Sequence, residues 1–211
     1  MTYSVYVVTD SVVSGRSHED VAGQAYAGGA DVVQLRDKDM CASDLLETAK
    51  RMKAISVHYD RLFIVNDRVD VALASGADGV HIGQSDLPCR VVRDMVPEGF
   101  LIGVSVSNVT EAVNAERDGA DYVVLSPIFA TSTKADAGEG GGIEVLKGMR
   151  RVVSIPLLAI GGITMENAKE TIEAGADGVA VVSAVISKEL NIPESVRDMR
   201  TVVREAKLRA L

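Results

Sequence analysis

The sequence predicts an α/β protein of the (β/α)8 TIM-barrel class, and three observations predict it. Eight short apolar runs alternate with stretches of helical periodicity. A phrase ending in Gly-Ala-Asp precedes every second run. The runs are nearly continuous in apolar residues, as parallel strands covered on both faces are.

The phrase occurs as Gly28-Gly29-Ala30-Asp31, Ser75-Gly76-Ala77-Asp78, Asp118-Gly119-Ala120-Asp121 and Ala174-Gly175-Ala176-Asp177. A glycine just past a helix takes the left-handed conformation that satisfies the last carbonyls. The alanine allows close helix–sheet packing, so each copy reads as a joint from helix to strand. The copies lie roughly 40–60 residues apart, about two βα units, and four double units make eight. An open doubly wound sheet is the alternative architecture.

The strands are expected at 5–8, 32–35, 62–65, 79–82, 101–104, 122–125, 155–160 and 178–181. Helices are expected at 17–27, 42–58, 68–74, 87–95, 109–117, 142–151, 165–173 and 194–210, the last with Val196, Met199, Val203 and Ala206 at helical spacing. Nothing reads as a linker, so residues 1–211 are expected to form a single TIM-barrel catalytic domain. The loosest stretch runs from Thr131 to Gly142 and ends in a glycine-rich run; loops of that length usually have a job.

Composition narrows the function. Of the 211 residues, 47% are hydrophobic and 25% charged, ordinary values for a globular protein. A net charge of −8 with 4% aromatics argues against nucleic acid, which wants a basic face and stacking rings. No apolar run spans a bilayer, and no signal peptide is evident, so no membrane partner is expected. Cys41 and Cys89 have neither metal spacing nor a disulfide framework and read as free thiols of a reducing cytoplasm.

In this fold the chemistry sits at the C-terminal ends of the strands. After the second run, alternation points Gln34, Arg36 and Lys38 into the barrel mouth, where two cations and an amide suit a phosphate or pyrophosphate; a salt-bridged strand end with Asp37 and Asp39 is the plainer reading. Asp67 and Asp86 follow the adjacent third and fourth runs. Singly, each could cap the helix after it. As a pair they suit Mg2+, completed by water and phosphate oxygens. Ser105 follows the fifth run, and Thr131, Ser132, Thr133 and Lys134 form a gripping segment beyond the sixth, or a solvated turn. Gly162 and Ser183, after the seventh and eighth runs, stand where such barrels hold a phosphate on backbone N–H groups, or where a tight turn needs glycine. No Ser-His-Asp arrangement is evident. His18 and His58 read as surface residues, and His81 is unassigned.

With these residues in view, the chain resembles the thiamine-phosphate synthase family from end to end. The resemblance is carried by Tyr6-Val7-Val8-Thr9-Asp10, Gln34-Leu35-Arg36-Asp37-Lys38, Asn66-Asp67-Arg68-Val69-Asp70, the stretch from Ala77 to Leu87, Gly103-Val104-Ser105, Thr131-Ser132-Thr133-Lys134, Ala159-Ile160-Gly161-Gly162-Ile163 and Val181-Val182-Ser183-Ala184. It implies a transferase that joins a pyrimidine diphosphate to a thiazole phosphate. By position, Gln34, Arg36, Asp37, Lys38, Asn66, Ser105 and Lys134 would bind the former. Thr131, Ser132, Thr133, Gly162, Val182 and Ser183 would bind the latter. Asp67 and Asp86 would hold Mg2+, and Arg36, Lys38 and Lys134 would act on the leaving group. Ala130, in place of a more usual proline, and Ser107-Asn108, in place of a Thr/His pair, depart from the pattern. A thiazole tautomerase on the same scaffold would need an acid/base residue near Ser126-Pro127. A non-catalytic sensor of thiamine phosphates would not need both carboxylates, and another phosphate-binding barrel, such as an epimerase, would need neither that pair nor the cationic face. The partners expected are small molecules, and a homo-oligomer is compatible with this reading.

Overall fold

Four aspartates, one in each Gly-Ala-Asp joint, tie neighbouring strands together at the N-terminal face of the barrel. A computed structural model of the chain describes residues 3–130 and 140–209. Its strands are β1 (Val5–Val8), β2 (Val32–Leu35), β3 (Leu62–Asn66), β4 (Gly79–Ile82), β5 (Leu101–Val106), β6 (Tyr122–Leu125), β7 (Leu157–Ile160) and β8 (Gly178–Val181). They close in chain order, every neighbour parallel. The closing pairs Val5↔Val179, Tyr6↔Ala180 and Val7↔Val181 exclude the open sheet.

The helices are α1 (Ser11–Ser14), α2 (His18–Gly28), α3 (Ala42–Tyr59), α4 (Val69–Ser75), α5 (Cys89–Met95), α6 (Val109–Arg117), α7 (Gly142–Arg150), α8 (Ala168–Glu173), α9 (Ser183–Ile186) and α10 (Ile192–Arg209). Each joint begins at a helix end. Gly29, Gly76, Gly119 and Gly175 all have positive φ, and the N–H of the following alanine reaches back to a carbonyl one turn inside the helix: Ala30 to Ala25, Ala77 to Ala72, Ala120 to Ala115 and Ala176 to Thr171.

The aspartate then grips one residue of the preceding strand at both its polar groups. Asp31 N–H donates to the Val5 carbonyl, while Val5 N–H donates to the Asp31 carboxylate. Asp78 does the same to Phe63, Asp121 to Ile102 and Asp177 to Leu157. Each carboxylate also takes a cation from a helix: Arg200 at 2.8 Å for Asp31, Lys53 at 2.7 Å for Asp78, Arg93 for Asp121 and Arg150 at 2.8 Å for Asp177.

Alternation along the strands divides the interior in two. Val5, Val7, Val33, Leu35, Phe63, Val65, Val123 and Leu125 face the helices within one cluster, together with Val196, Met199, Val203 and Ala206 of α10. Tyr6, Val8, Val32, Ile64, Tyr122, Val124 and Leu158 fill the barrel lumen with Tyr3. Gly103 is required there: a Cβ on it would lie 2.0 Å from Tyr122 Cζ.

Several boundaries depart from expectation. β7 starts at Leu157 because Pro156 has no N–H for the ladder. β3 and β5 run on through Asn66 and Ser105, so both residues sit inside strands. α8 starts only at Ala168, after a turn in which Asn167 accepts from Thr164 N–H and donates to the Gly162 carbonyl. α5 starts at Cys89, behind Pro88. The single-turn helices α1 and α9 are too short to show a period. Among the described residues, no helix is long and apolar enough to cross a membrane. Cys41 is exposed and Cys89 buried, both as free thiols.

The grip has a measurable strength. Asp31 is only 5% exposed, so Asp31→Ala strands the buried Val5 N–H. The expected loss is about 2–4 kcal/mol, roughly 5–10 °C in Tm for a chain of this size. Arg200→Ala, which removes a half-exposed partner, is expected to lose less than half as much. Thermal unfolding with Asp31→Ala within 1 °C of the wild type would show that the grip does not hold the barrel together.

Candidate active site

A cavity of about 350 Å3 opens at the C-terminal ends of the strands. Gln34, Arg36, Lys38, Asn66, Asp67, Asp86, Ser105, Gly162, Val182 and Ser183 all line it. Thr131, Ser132, Thr133 and Lys134 lie outside the described residues.

The cationic wall follows from strand alternation. Gln34 is buried in the lumen, Leu35 packs outward in the helix-facing core, and the pattern carries Arg36 and Lys38 to the mouth. Among the described residues neither Arg36 nor Lys38 closes an ion pair, so their charge faces the cavity.

Asp37, expected to bind substrate, is not among the residues that line the cavity. Its carboxylate accepts the N–H groups of Asp39 and Met40 at 3.0 and 2.8 Å and approaches His18 Nε2 at 3.0 Å. Partial burial works to raise its pKa, but the His18 and backbone hydrogen bonds outweigh it and hold the carboxyl below its ordinary value. His18 is likewise no surface residue. It is 4% exposed, with Nδ1 2.7 Å from Thr9 Oγ1, and Thr9 Oγ1 in turn accepts the Arg36 N–H at 3.3 Å. Arg36 N–H, Thr9, His18 and Asp37 thus form one hydrogen-bonded chain. The chain clasps the backbone that carries Arg36. His58 is exposed, as expected.

The two carboxylates neither cap α4 nor α5, whose N-cap residues are Arg68 and Pro88. Asp67 sits at φ 60, left-handed backbone that aspartate tolerates better than most residues, with its N–H on the His81 carbonyl at 2.8 Å. Asp86 Oδ2 accepts the Gly83 N–H at 2.7 Å. The Asp86 carboxylate lies close enough to Asp67 for its charge to act on it. Burial first, and then the neighbouring Asp86 carboxylate, push Asp67 up to about 6; Lys38 and Arg36 pull the other way. Two hard oxygen donors crowded together beside two cations could hold a cation that arrives with an anion.

On the β7–β8 side, Gly161 and Gly162 are both left-handed. A Cβ on Gly162 would come 2.6 Å from the Ala130 carbonyl, so the turn requires glycine as well as offering backbone to the cavity. Ser183 opens α9, where its N–H has no acceptor inside the helix. Polar side chains that sequence reasoning missed stand at the bottom of the cavity: Tyr6 and the unassigned His81 line it, and the buried Tyr122 joins them in a hydrogen-bonded series. The inward alternation of β1, β4 and β6 is the signal that could have found them.

Asp67 gives a pH signature. Its folded pKa lies above the ordinary 3.8, so the folded state holds the proton more tightly between about pH 4 and 6, and stability falls as pH rises through that window. Asp67→Asn, which suits the same backbone, is expected to flatten this slope. Above pH 7 without metal it should raise Tm by roughly 1–3 °C, a figure reduced for solvent screening. Parallel Tm–pH curves for the two proteins would remove the repulsion between Asp67 and Asp86.

Comparison with known proteins agrees with this geometry. A family model described as thiamine monophosphate synthase matches residues 5–185. A thiamine-phosphate synthase of Methanoculleus marisnigri is 54% identical over 208 residues, 98% of each chain. One of Chloroflexus aurantiacus is 46% identical over 99% of this chain and 96% of its own. A solved thiamine phosphate pyrophosphorylase from Pyrococcus furiosus superimposes with a TM-score of 0.89 at 37% identity, covering 97% of this chain and 96% of its own. A barrel closed in chain order, with cations and paired carboxylates at its mouth, is thus the form the family takes here, and the chain belongs to the thiamine monophosphate synthase family.

Proposed function

We propose that this chain is a transferase that condenses 4-amino-2-methyl-5-hydroxymethylpyrimidine diphosphate with 4-methyl-5-(2-phosphoethyl)thiazole, giving thiamine phosphate and pyrophosphate. The observation that carries the reading is the Asp67–Asp86 pair beside Arg36 and Lys38 at the mouth of one cavity. The family membership and the names of the relatives support it.

The donor set fits Mg2+. Two carboxylate oxygens are hard ligands, and among the described residues no third His, Cys, Asp or Glu joins them. That number suits an ion which completes its shell with water and substrate phosphate oxygens. Asp67 and Asp86 would hold it, and when bound it would neutralise charge on the diphosphate.

The residues of the chain do the rest. Arg36 and Lys38, with Lys134 beyond the described residues, stabilise charge that grows on pyrophosphate as its C–O bond breaks. The aminopyrimidine delocalises the positive charge left on its methylene carbon. The thiazole nitrogen then forms the C–N bond, so no protein nucleophile takes part. Gln34, Asn66 and Ser105 face the pyrimidine. The thiazole phosphate lies on the backbone of Gly162 and Ser183, beside Val182, and Thr131, Ser132 and Thr133, outside the described residues, share in binding it. Ser126 and Pro127 stand at the end of β6, where a tautomerase would need a proton-transfer group.

A coupling assay tests the proposal. Purified protein with both substrates and Mg2+ should yield thiamine phosphate, read as fluorescent thiochrome after oxidation, and EDTA should lower the rate at least 100-fold. Asp67→Ala should lose Mg2+-dependent turnover to a similar degree. Absence of product while both ligands bind would overturn the reaction, and near wild-type turnover in Asp67→Ala would remove that residue from the metal.

A further inference from the structure

We infer that Tyr6, Tyr122 and His81 form a directional hydrogen-bond relay that sets the donor and acceptor polarity of Gln34 and Ser105 in the cavity, making them positioning residues for the pyrimidine. The ligand's identity rests on the proposed function; the relay itself does not.

Five side chains from five strands lie in series across the lumen. Gln34 Nε2 donates to Tyr6 Oη at 2.7 Å. Tyr6 Oη lies 3.0 Å from Tyr122 Oη, Tyr122 Oη 3.3 Å from His81 Nδ1, and His81 Nε2 2.9 Å from Ser105 Oγ. Tyr6, Tyr122, Gln34 and His81 are all buried, where a polar group without a partner is costly.

The Gln34 amide, which turns its Nε2 to Tyr6, and proton counting together set the direction. A phenol has one proton. Tyr6 receives from Gln34, so its own proton goes to Tyr122, and the Tyr122 proton goes to His81 Nδ1. In an imidazole that carries a single N–H, that N–H then sits on Nε2 and is donated to Ser105 Oγ. The Ser105 hydroxyl proton is thereby left for the cavity, and at the other end Gln34 keeps Oε1 as its available acceptor. Burial raises the Tyr6 and Tyr122 pKa values far above the ordinary phenol range, so both protons stay in place. An aminopyrimidine presents the complement: an amino N–H beside a ring nitrogen that accepts.

Packing alone does not account for the cluster. An apolar lumen would fill the same space without buried hydroxyls. Moreover, β5 gives up a side chain at Gly103 to leave room for the end of the Tyr122 ring, which Tyr3 holds from its face at a centroid distance of 5.3 Å.

Tyr122→Phe cuts the relay in the middle and keeps the ring. We expect the KM for the pyrimidine diphosphate to rise about 10-fold, with the KM for the thiazole phosphate within 2-fold of wild type. The double variant with Ser105→Ala should be no more than about 2-fold worse than Ser105→Ala alone, because both cut one chain. Nitrogen NMR of the substrate-free protein should find His81 protonated on Nε2, with the Nδ1 resonance moved in Tyr122→Phe. Effects that multiply in the double variant, or a wild-type His81 protonated on Nδ1, would overturn the relay. A wild type that makes no product would defeat the proposed reaction instead, and the imidazole tautomer would still decide the relay.

Discussion

The barrel depends on one interaction made four times: an aspartate that holds a single residue of the neighbouring strand by its N–H and its carbonyl together. Strands of four to six residues make few ladder bonds apiece. Closing eight of them demands that the register be fixed somewhere, since a slip by one residue would turn every lumen side chain toward the helices. The double grip on Val5, Phe63, Ile102 and Leu157 fixes it at the N-terminal face. The left-handed glycine before each aspartate delivers it from the helix in a constant geometry.

With register held at that face, the other face is free to carry groups that oppose stability. Asp67 and Asp86 repel one another, Arg36 and Lys38 face the cavity without ion pairs among the described residues, and Asp67 adopts backbone that most residues avoid. Such crowding is common where a site awaits ligands of opposite charge. The His18 clasp and the Tyr6–Tyr122–His81 series stiffen the cavity from behind and below, so the charged groups sit on a rigid base.

Much of this was legible in the sequence, and the reasons differ by element. The strands were visible because parallel strands buried on both faces read as apolar runs. The joints were visible because their glycine and aspartate answer to backbone geometry. What limited the boundaries was chemistry at the ends: Pro156 shortens β7, while polar Asn66 and Ser105 still pair within β3 and β5. Alternation placed Gln34, Arg36 and Lys38 correctly, and the same alternation turns Asp37 away from the cavity, which position-by-position resemblance could not see. His18 finds Thr9 and Asp37 from 9 and 19 residues away, and Tyr6 finds Tyr122 from 116, so those contacts exist only once the chain has folded.

The cations opposite the four aspartates carry a further meaning. Lys53, Arg93 and Arg150 come from α3, α5 and α7, each the helix that precedes the odd-numbered strand being gripped. Arg200 completes the set from α10, at the far end of the chain from β1. The repeating module therefore begins at a helix and not at a strand, and the last helix of the chain is spatially the first of module one. A circularly permuted chain that joined the end of α10 to β1 and opened just before α3 would keep all four modules whole. An opening between an odd strand and the joint that follows it would divide one. The order in which this chain is written and the order in which it is built are offset by one helix.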